Sequence, residues 1–209
     1  MQARPVIVDR KDPRFDTLKR ENNIRFPAND TEAVSRIALC SDDAEVSEAL
    51  RRVVASGIRP TLRSGGHCYK NFVANNPNGA TINLSMHNRV DAGVSGTPFQ
   101  IASGARLGEV YQTLYKCHNV TLPAGTYYMV GAGGHISGGG YGLLARQHGQ
   151  TVDWITAIDL LTVDAKGKVV ERRIDKRNDP DLFRVPRSGR RKLRHHHELL
   201  LRQATGFAS

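Results

Sequence analysis

Apolar and polar positions first fall into a readable pattern near Ser35. Residues 35–40 form a short apolar run of strand length, and Ser41, Asp42 and Asp43 after it can cap a helix. Val46, Ala49, Leu50, Val53 and Val54 then recur at helical spacing. Gly57 closes that helix, and residues 60–63 resume as a strand. Strand, helix and strand within about 30 residues predict a βαβ unit with parallel, right-handed connectivity. Ahead of it, residues 1–30 hold Pro5, Pro13 and Pro27 without an apolar period, and read as an N-terminal arm.

Further strands are expected at residues 80–84 and 100–103, and a helix over residues 107–117 with Leu107, Val110, Leu114 and Tyr115 on one face. A glycine-dense stretch, residues 125–142, follows. Residues 155–164 read as a strand that turns at Lys166-Gly167-Lys168 into another at 169–172, a hairpin. A βαβ unit combined with antiparallel hairpins predicts an α+β fold. Past Arg184 neither period continues, so residues 31–184 read as the folded domain and residues 185–209 as a basic, disordered tail.

Composition narrows the function classes. A chain of 209 residues with 39% apolar residues can bury a core. No run is long enough to cross a membrane, and the start lacks the apolar segment of a secretory signal, so a cytoplasmic location is expected. Cys40, Cys68 and Cys117 are odd in number and widely spaced, which argues against a disulfide framework or a zinc site. All three are expected to be packing residues. The net charge of +10 is concentrated at the end, where residues 184–209 hold seven basic side chains against one acid. The remainder has a balance ordinary for a soluble domain, which weakens a nucleic-acid or membrane reading.

Two glycine loops carry the candidate chemistry. Arg63-Ser64-Gly65-Gly66-His67 directly follows a predicted strand. Glycines there permit positive φ, and successive amides can form an anion-binding nest to which Arg63 adds charge. A pyrophosphate suits such a nest; a tight turn with a surface histidine is the competing reading. The second loop, Val130-Gly-Ala-Gly-Gly-His-Ile-Ser-Gly-Gly-Gly-Tyr-Gly142, has too many glycines for a helix or strand interior and suits backbone packed against an extended cofactor. It is a poor nicotinamide fingerprint, because Pro123-Ala-Gly-Thr before it is weak strand material and Gly149 cuts the following helix short. His135 could serve as a base, but its place in the loop favours a structural or cofactor-adjacent role.

Residues 62–69, 82–85, 123–125 and 130–142, in this order and spacing, resemble the FAD-linked oxidases of the p-cresol methylhydroxylase and vanillyl-alcohol oxidase type. The berberine-bridge-enzyme-like branch is the nearest likeness, and it spans about residues 12–184. The resemblance implies an FAD-binding domain made of a βαβ subdomain and an antiparallel-rich subdomain, incomplete in this chain. It implies that Arg63, Ser64, Gly65, Gly66, His67 and Cys68 wrap the FAD pyrophosphate, with His67 bonded covalently to the flavin. It also implies cofactor contacts from Pro123, Gly125 and Tyr127, and from Gly131, Gly133, Gly134, His135, Ser137, Gly138, Gly139, Gly140, Tyr141 and Gly142. Asp153 and Trp154 fall near the adenosine half. Relatives with two flavin bonds carry a cysteine where this chain has Tyr127, and a phenol with a pKa near 10 cannot replace that thiolate. One covalent bond at most is therefore expected. The implied function is oxidation of an alcohol, sugar or natural-product C–H, with hydride passing to flavin and electrons to dioxygen. No catalytic residue is assigned, because the family's substrate pocket and base lie largely in a following domain. The alternatives are an inactive fragment or flavin-binding module, and a basic nucleic-acid-binding protein.

The tail has its own explanation. With suitable synonymous codons from Val185 onward, dropping one base gives Cys-Arg-Gly-Ala-Gly-Gly-Gly-Asn-Phe-Gly-Ile-Ile-Thr-Ser-Tyr-Tyr-Phe-Ala-Lys, the continuation expected of the resembled family. A one-base frameshift near the Arg184 codon is the expected origin of residues 185–209. The run His195-His196-His197 then needs no metal, since three adjacent histidines point different ways.

Overall fold

A computed structural model describes residues 4–22, 27, 29, 31–70, 72–91, 99–187 and 200–205. Two compact units share the chain, residues 1–87 and residues 88–209.

In the first unit, β1 (Val6–Asp9), α1 (Phe15–Leu18), β2 (Arg36–Leu39), α2 (Asp43–Ala55), β3 (Pro60–Arg63) and β4 (Ala80–Asn83) follow in order. The four strands form one sheet in the order β1-β2-β4-β3. β2 and β3 both run parallel to β4, and β1 antiparallel to β2. The βαβ expectation holds for direction, with β4 lying between the two strands that α2 connects. α2 starts where Asp42 accepts the Glu45 N–H at 2.8 Å, satisfying one donor of the first turn, while Glu45 accepts the Ser41 N–H ahead of the cap at 2.8 Å. It ends at Gly57, whose φ of +65° suits glycine. Val46, Ala49, Leu50 and Val53 on its inner face are buried.

Residues 1–30 are not simply an arm. β1 is paired along its length with β2, and Val8 and Phe15 are buried in a cluster with Val34 and Ile37. Three β-branched residues after Pro5 favour extension, and the sheet supplies the partner that local pattern could not reveal.

The second unit comprises β5 (Val90–Asp91), β6 (Gln100–Ala102), α3 (Leu107–His118), α4 (Ala132–Ser137), α5 (Ala145–His148), a 3-10 turn (Thr151–Trp154), β7 (Ala157–Val163), β8 (Val169–Asp175), α6 (Pro180–Arg187) and β9 (Leu200–Thr205). Its sheet has the order β5-β6-β9-β7-β8, with every pair antiparallel. The core beneath it joins Ile101, Leu107, Val110, Leu114, Leu122, Ile136, Ile158, Leu160 and Phe183. The mixture of a largely parallel and an antiparallel sheet gives the α+β class expected.

Three expectations change here. The glycine stretch contains a helix, α4, because tertiary packing outweighs its poor propensity. Cys117 is exposed near the end of α3, whereas Cys40 is buried and Cys68 half-buried. The tail expected to lack order contributes β9, whose backbone pairs with both β6 and β7. The two ladders give those strands hydrogen bonds that their own neighbours leave unmade. His195, His196 and His197 lie outside the described residues.

Candidate functional site

Each unit carries one of the two glycine loops. The first leaves the end of β3, an edge strand of the described sheet. Gly66 has φ +72°, the left-handed conformation that only glycine adopts without cost. Ser64, Gly65, His67 and Cys68 are all half-buried, and the His67 Nε2 is out of solvent.

The residues before α2 hold this loop. The Asn22 N–H donates to the Gly66 carbonyl at 3.0 Å, and the Asn22 side-chain Nδ2 donates to the Gly65 carbonyl. Arg63 reaches the other way: its guanidinium donates to the Arg20 carbonyl at 3.0 Å and to the Leu18 carbonyl. That geometry differs from the expectation that Arg63 lends its charge to a ligand. Glu21 sits beside Arg63, and burial pushes its carboxyl up to about 7 even though the guanidinium pulls it down. A cavity of about 10 Å³, room for one water, lies between Glu21, Arg63 and Thr81. Pattern reading did not find Asn22 or Glu21, because their relation to the loop spans more than 40 residues.

In the second unit the Pro123–Gly125 turn and the loop at residues 138–142 are fastened to one another. The Gly125 N–H donates to His135 Nε2 at 3.0 Å, and Tyr111 Oη donates to the Gly125 carbonyl at 2.7 Å. The Thr151 hydroxyl lies 2.8 Å from the Pro123 carbonyl and 2.9 Å from that of Gly140. A Cβ on Gly142 would fall 1.9 Å from the Ala124 carbonyl oxygen, and one on Gly140 would fall 2.3 Å from the Thr151 Oγ1. Gly133 is pressed on Ser103, and Gly125 on the His135 ring, each with a Cβ contact of 2.8 Å. These four glycines answer to the chain's own packing, not to close approach of a cofactor alone.

Gly134 is different. It lies on the exposed side of α4 with ordinary φ, and among the described residues a Cβ there would meet nothing within 4 Å. His135 accepts a hydrogen bond through Nε2, so its proton sits on Nδ1, and burial lowers its pKa. This favours the structural role over a general base. Gly131 caps α4, Gly138 ends it, and Gly139 has φ +104°. Ser137 Oγ donates to the Gly134 carbonyl at 3.3 Å. Tyr127 and Tyr141 are exposed, the former tilted against Tyr128.

Asp153 and Trp154 serve local structure. Asp153 accepts the Gln150 N–H at 2.9 Å, and the Trp154 indole donates to the His148 carbonyl at 2.8 Å. Among the described residues no cluster of His, Cys, Asp or Glu could hold a metal, and no helix is long and apolar enough to cross a membrane.

Known proteins agree with this arrangement. Residues 34–172 match the FAD binding domain family. The chain is 38% identical over 164 residues to aclacinomycin-N/aclacinomycin-A oxidase of Streptomyces galilaeus, covering 78% of this chain and 29% of that protein. It is 34% identical over 172 residues to berberine bridge enzyme-like 28 of Arabidopsis thaliana, covering 80% and 32%. A glycopeptide hexose oxidase complexed with teicoplanin superposes with a TM-score of 0.85 at 34% identity, over 98% of this chain and 40% of that one. The chain belongs to the FAD binding domain family, and its relatives are berberine-bridge-enzyme-like proteins and related FAD oxidases.

Proposed function

We propose that residues 64–67 seat the FAD pyrophosphate, that His67 bonds covalently to the flavin, and that residues 131–142 face the cofactor through α4. The observation that carries this reading is the left-handed turn at Gly66 directly before His67. Such a turn brings successive amides to one concave side, where a pyrophosphate oxygen can accept them. Gly134 supports the fit. A glycine in a helix interior costs about 1 kcal/mol relative to alanine, and no contact among the described residues requires it there. Close approach of a planar ligand to the α4 backbone supplies the missing reason.

Bound FAD would supply the two-electron acceptor for oxidation of an alcohol or sugar carbon. The chain's own residues bind and orient it. His67 offers an imidazole nitrogen as the attachment point, and Tyr127, in place of a thiol, leaves that bond as the single one. Hexose and glycosylated natural products are the substrate class, by analogy with the relatives. The domain takes in β1 and α1 together with residues 31–184, with residues 185–209 the product of the shifted frame.

Expression with FAD and denaturation in acid test the reading. The expected result is a yellow polypeptide that keeps its flavin after precipitation, and a His67→Ala variant that releases all of it. Release from the unsubstituted chain would remove the covalent bond, and failure to take up FAD would remove the whole reading.

A further inference from the structure

The peptide units of the first loop have a direction, and Asn22 sets it. In a planar trans peptide the carbonyl of one residue and the N–H of the next point to opposite sides. Asn22 takes the Gly65 carbonyl with its side-chain amide and the Gly66 carbonyl with its backbone N–H, the latter at 3.0 Å. With both carbonyls turned toward Asn22, the N–H groups of Gly66 and His67 are aimed to the far side. Those are two successive donors of the nest. The Gly66 φ of +72° is the rotation that lets consecutive peptide planes keep this common direction.

Arg63 completes the arrangement from the other end. Its guanidinium donates to the carbonyls of Leu18 and Arg20, so the segment that presents Asn22 is tied back to the residue where the loop begins. Both bonds leave one nitrogen, Nη1, so a single donor group ties the two carbonyls to the start of the loop. The guanidinium is half-buried and turned into the protein. It acts on the nest through geometry.

We infer that Asn22 and Arg63 are positioning residues for pyrophosphate recognition, a brace that aims the Gly66 and His67 amides without itself touching the cofactor. This rests on the proposed seating of FAD pyrophosphate at residues 64–67. Recognition of a diphosphate would then depend on a side chain on the far side of the loop from the anion, in a segment outside the glycine motif.

The test is calorimetric titration of the full chain carrying His67→Ala, so that flavin binding stays reversible, with and without Asn22→Ala or Asn22→Asp, using FAD, ADP and riboflavin, alongside thermal melts. Asn22→Asp keeps the shape but places an acceptor against the Gly65 carbonyl, so both variants should misdirect the loop. The expected result is a loss of about tenfold or more in affinity for FAD and ADP, roughly one lost charge-assisted hydrogen bond. Riboflavin, which has no phosphate, should bind the variants as it binds the His67→Ala chain. Arg63→Met, which keeps an apolar stem but removes the donors, should show the same selective loss. Equal weakening of all three ligands together with a lowered melting temperature would reduce the brace to a fold element and overturn the inference. Unchanged FAD and ADP affinity in the Asn22 variants would overturn it too. A chain that binds neither FAD nor ADP before Asn22 or Arg63 is substituted would instead overturn the proposed function beneath it.

Discussion

Burial raises the Glu21 carboxyl to about 7 from an ordinary 4.5 and lowers the His135 imidazole below its ordinary 6.5, so the two groups act on stability at opposite ends of the pH scale. For Glu21 the folded state holds the proton more tightly than the unfolded one. Its contribution is therefore intact below about 4.5 and is lost as pH rises through about 7. For His135 the folded state prefers the neutral ring, which must accept the Gly125 N–H, and stability is lost as pH falls below 6.5. Thermal melts of Glu21→Gln should match the unsubstituted chain at pH 4 and exceed it at pH 8, with the acid-side loss from His135 remaining. Identical melting temperatures at pH 8 would show that Glu21 ionises without cost. Neither group could be assigned this behaviour from sequence. The histidine is conspicuous inside its glycine loop, yet its partner lies ten residues earlier, and only the fold brings Gly125 to it. Arg63 shows the reverse case. Its place in the motif is legible, but the direction of its guanidinium depends on a segment more than 40 residues away.

Elements with a complete local signature were legible, and those completed by distant partners were not. α2 has a cap, an apolar face and a terminating glycine, while the β7–β8 hairpin has a Lys-Gly-Lys turn after an apolar run. β1 is four residues long, too short for an alternation to register, and exists because β2 pairs with it. α4 was obscured by its own glycines, two of which have different causes. Gly133 is required where the helix presses on Ser103, whereas Gly134 faces open space. Substitution separates these causes. Gly134→Ala should stabilise the chain without flavin by up to about 1 kcal/mol, through helix propensity, and should weaken retention of FAD. Gly142→Ala, whose Cβ would fall 1.9 Å from the Ala124 oxygen, should destabilise by about 3 kcal/mol or more with or without flavin. Denaturant melts with and without FAD read both effects. A Gly134→Ala chain that binds FAD as tightly as before would leave the openness of that helix face without a ligand to explain it.

Across the whole chain, the informative strand is β9. It comes from the segment whose composition breaks from the rest, yet its backbone lies in the middle of the second sheet, between β6 and β7. Non-local pairing of this kind leaves no periodic trace, which is why the sequence pattern stops at Arg184 while the ladder does not. The proposed shift of frame would place Tyr-Tyr-Phe-Ala-Lys over residues 199–203, a run of higher strand propensity than Leu-Leu-Leu-Arg-Gln in the frame as read. Either run can enter the ladder through main-chain groups alone, so the position of β9 is compatible with both. The two frames diverge in the polypeptide they encode beyond β9. The chain spans 29% of the aclacinomycin oxidase and 32% of the plant relative, and the resembled family places its substrate pocket largely beyond the flavin domain. The 209-residue chain loaded with FAD is therefore expected to release no hydrogen peroxide above background with hexoses or glycosylated natural products. The product of the same gene with one base removed at the Val185 codon, read to its next stop, is expected to release it. Peroxide from the 209-residue chain itself would mean that these two units already contain a substrate site and a base. In that case residues 185–209 would have to be regarded as part of a working enzyme.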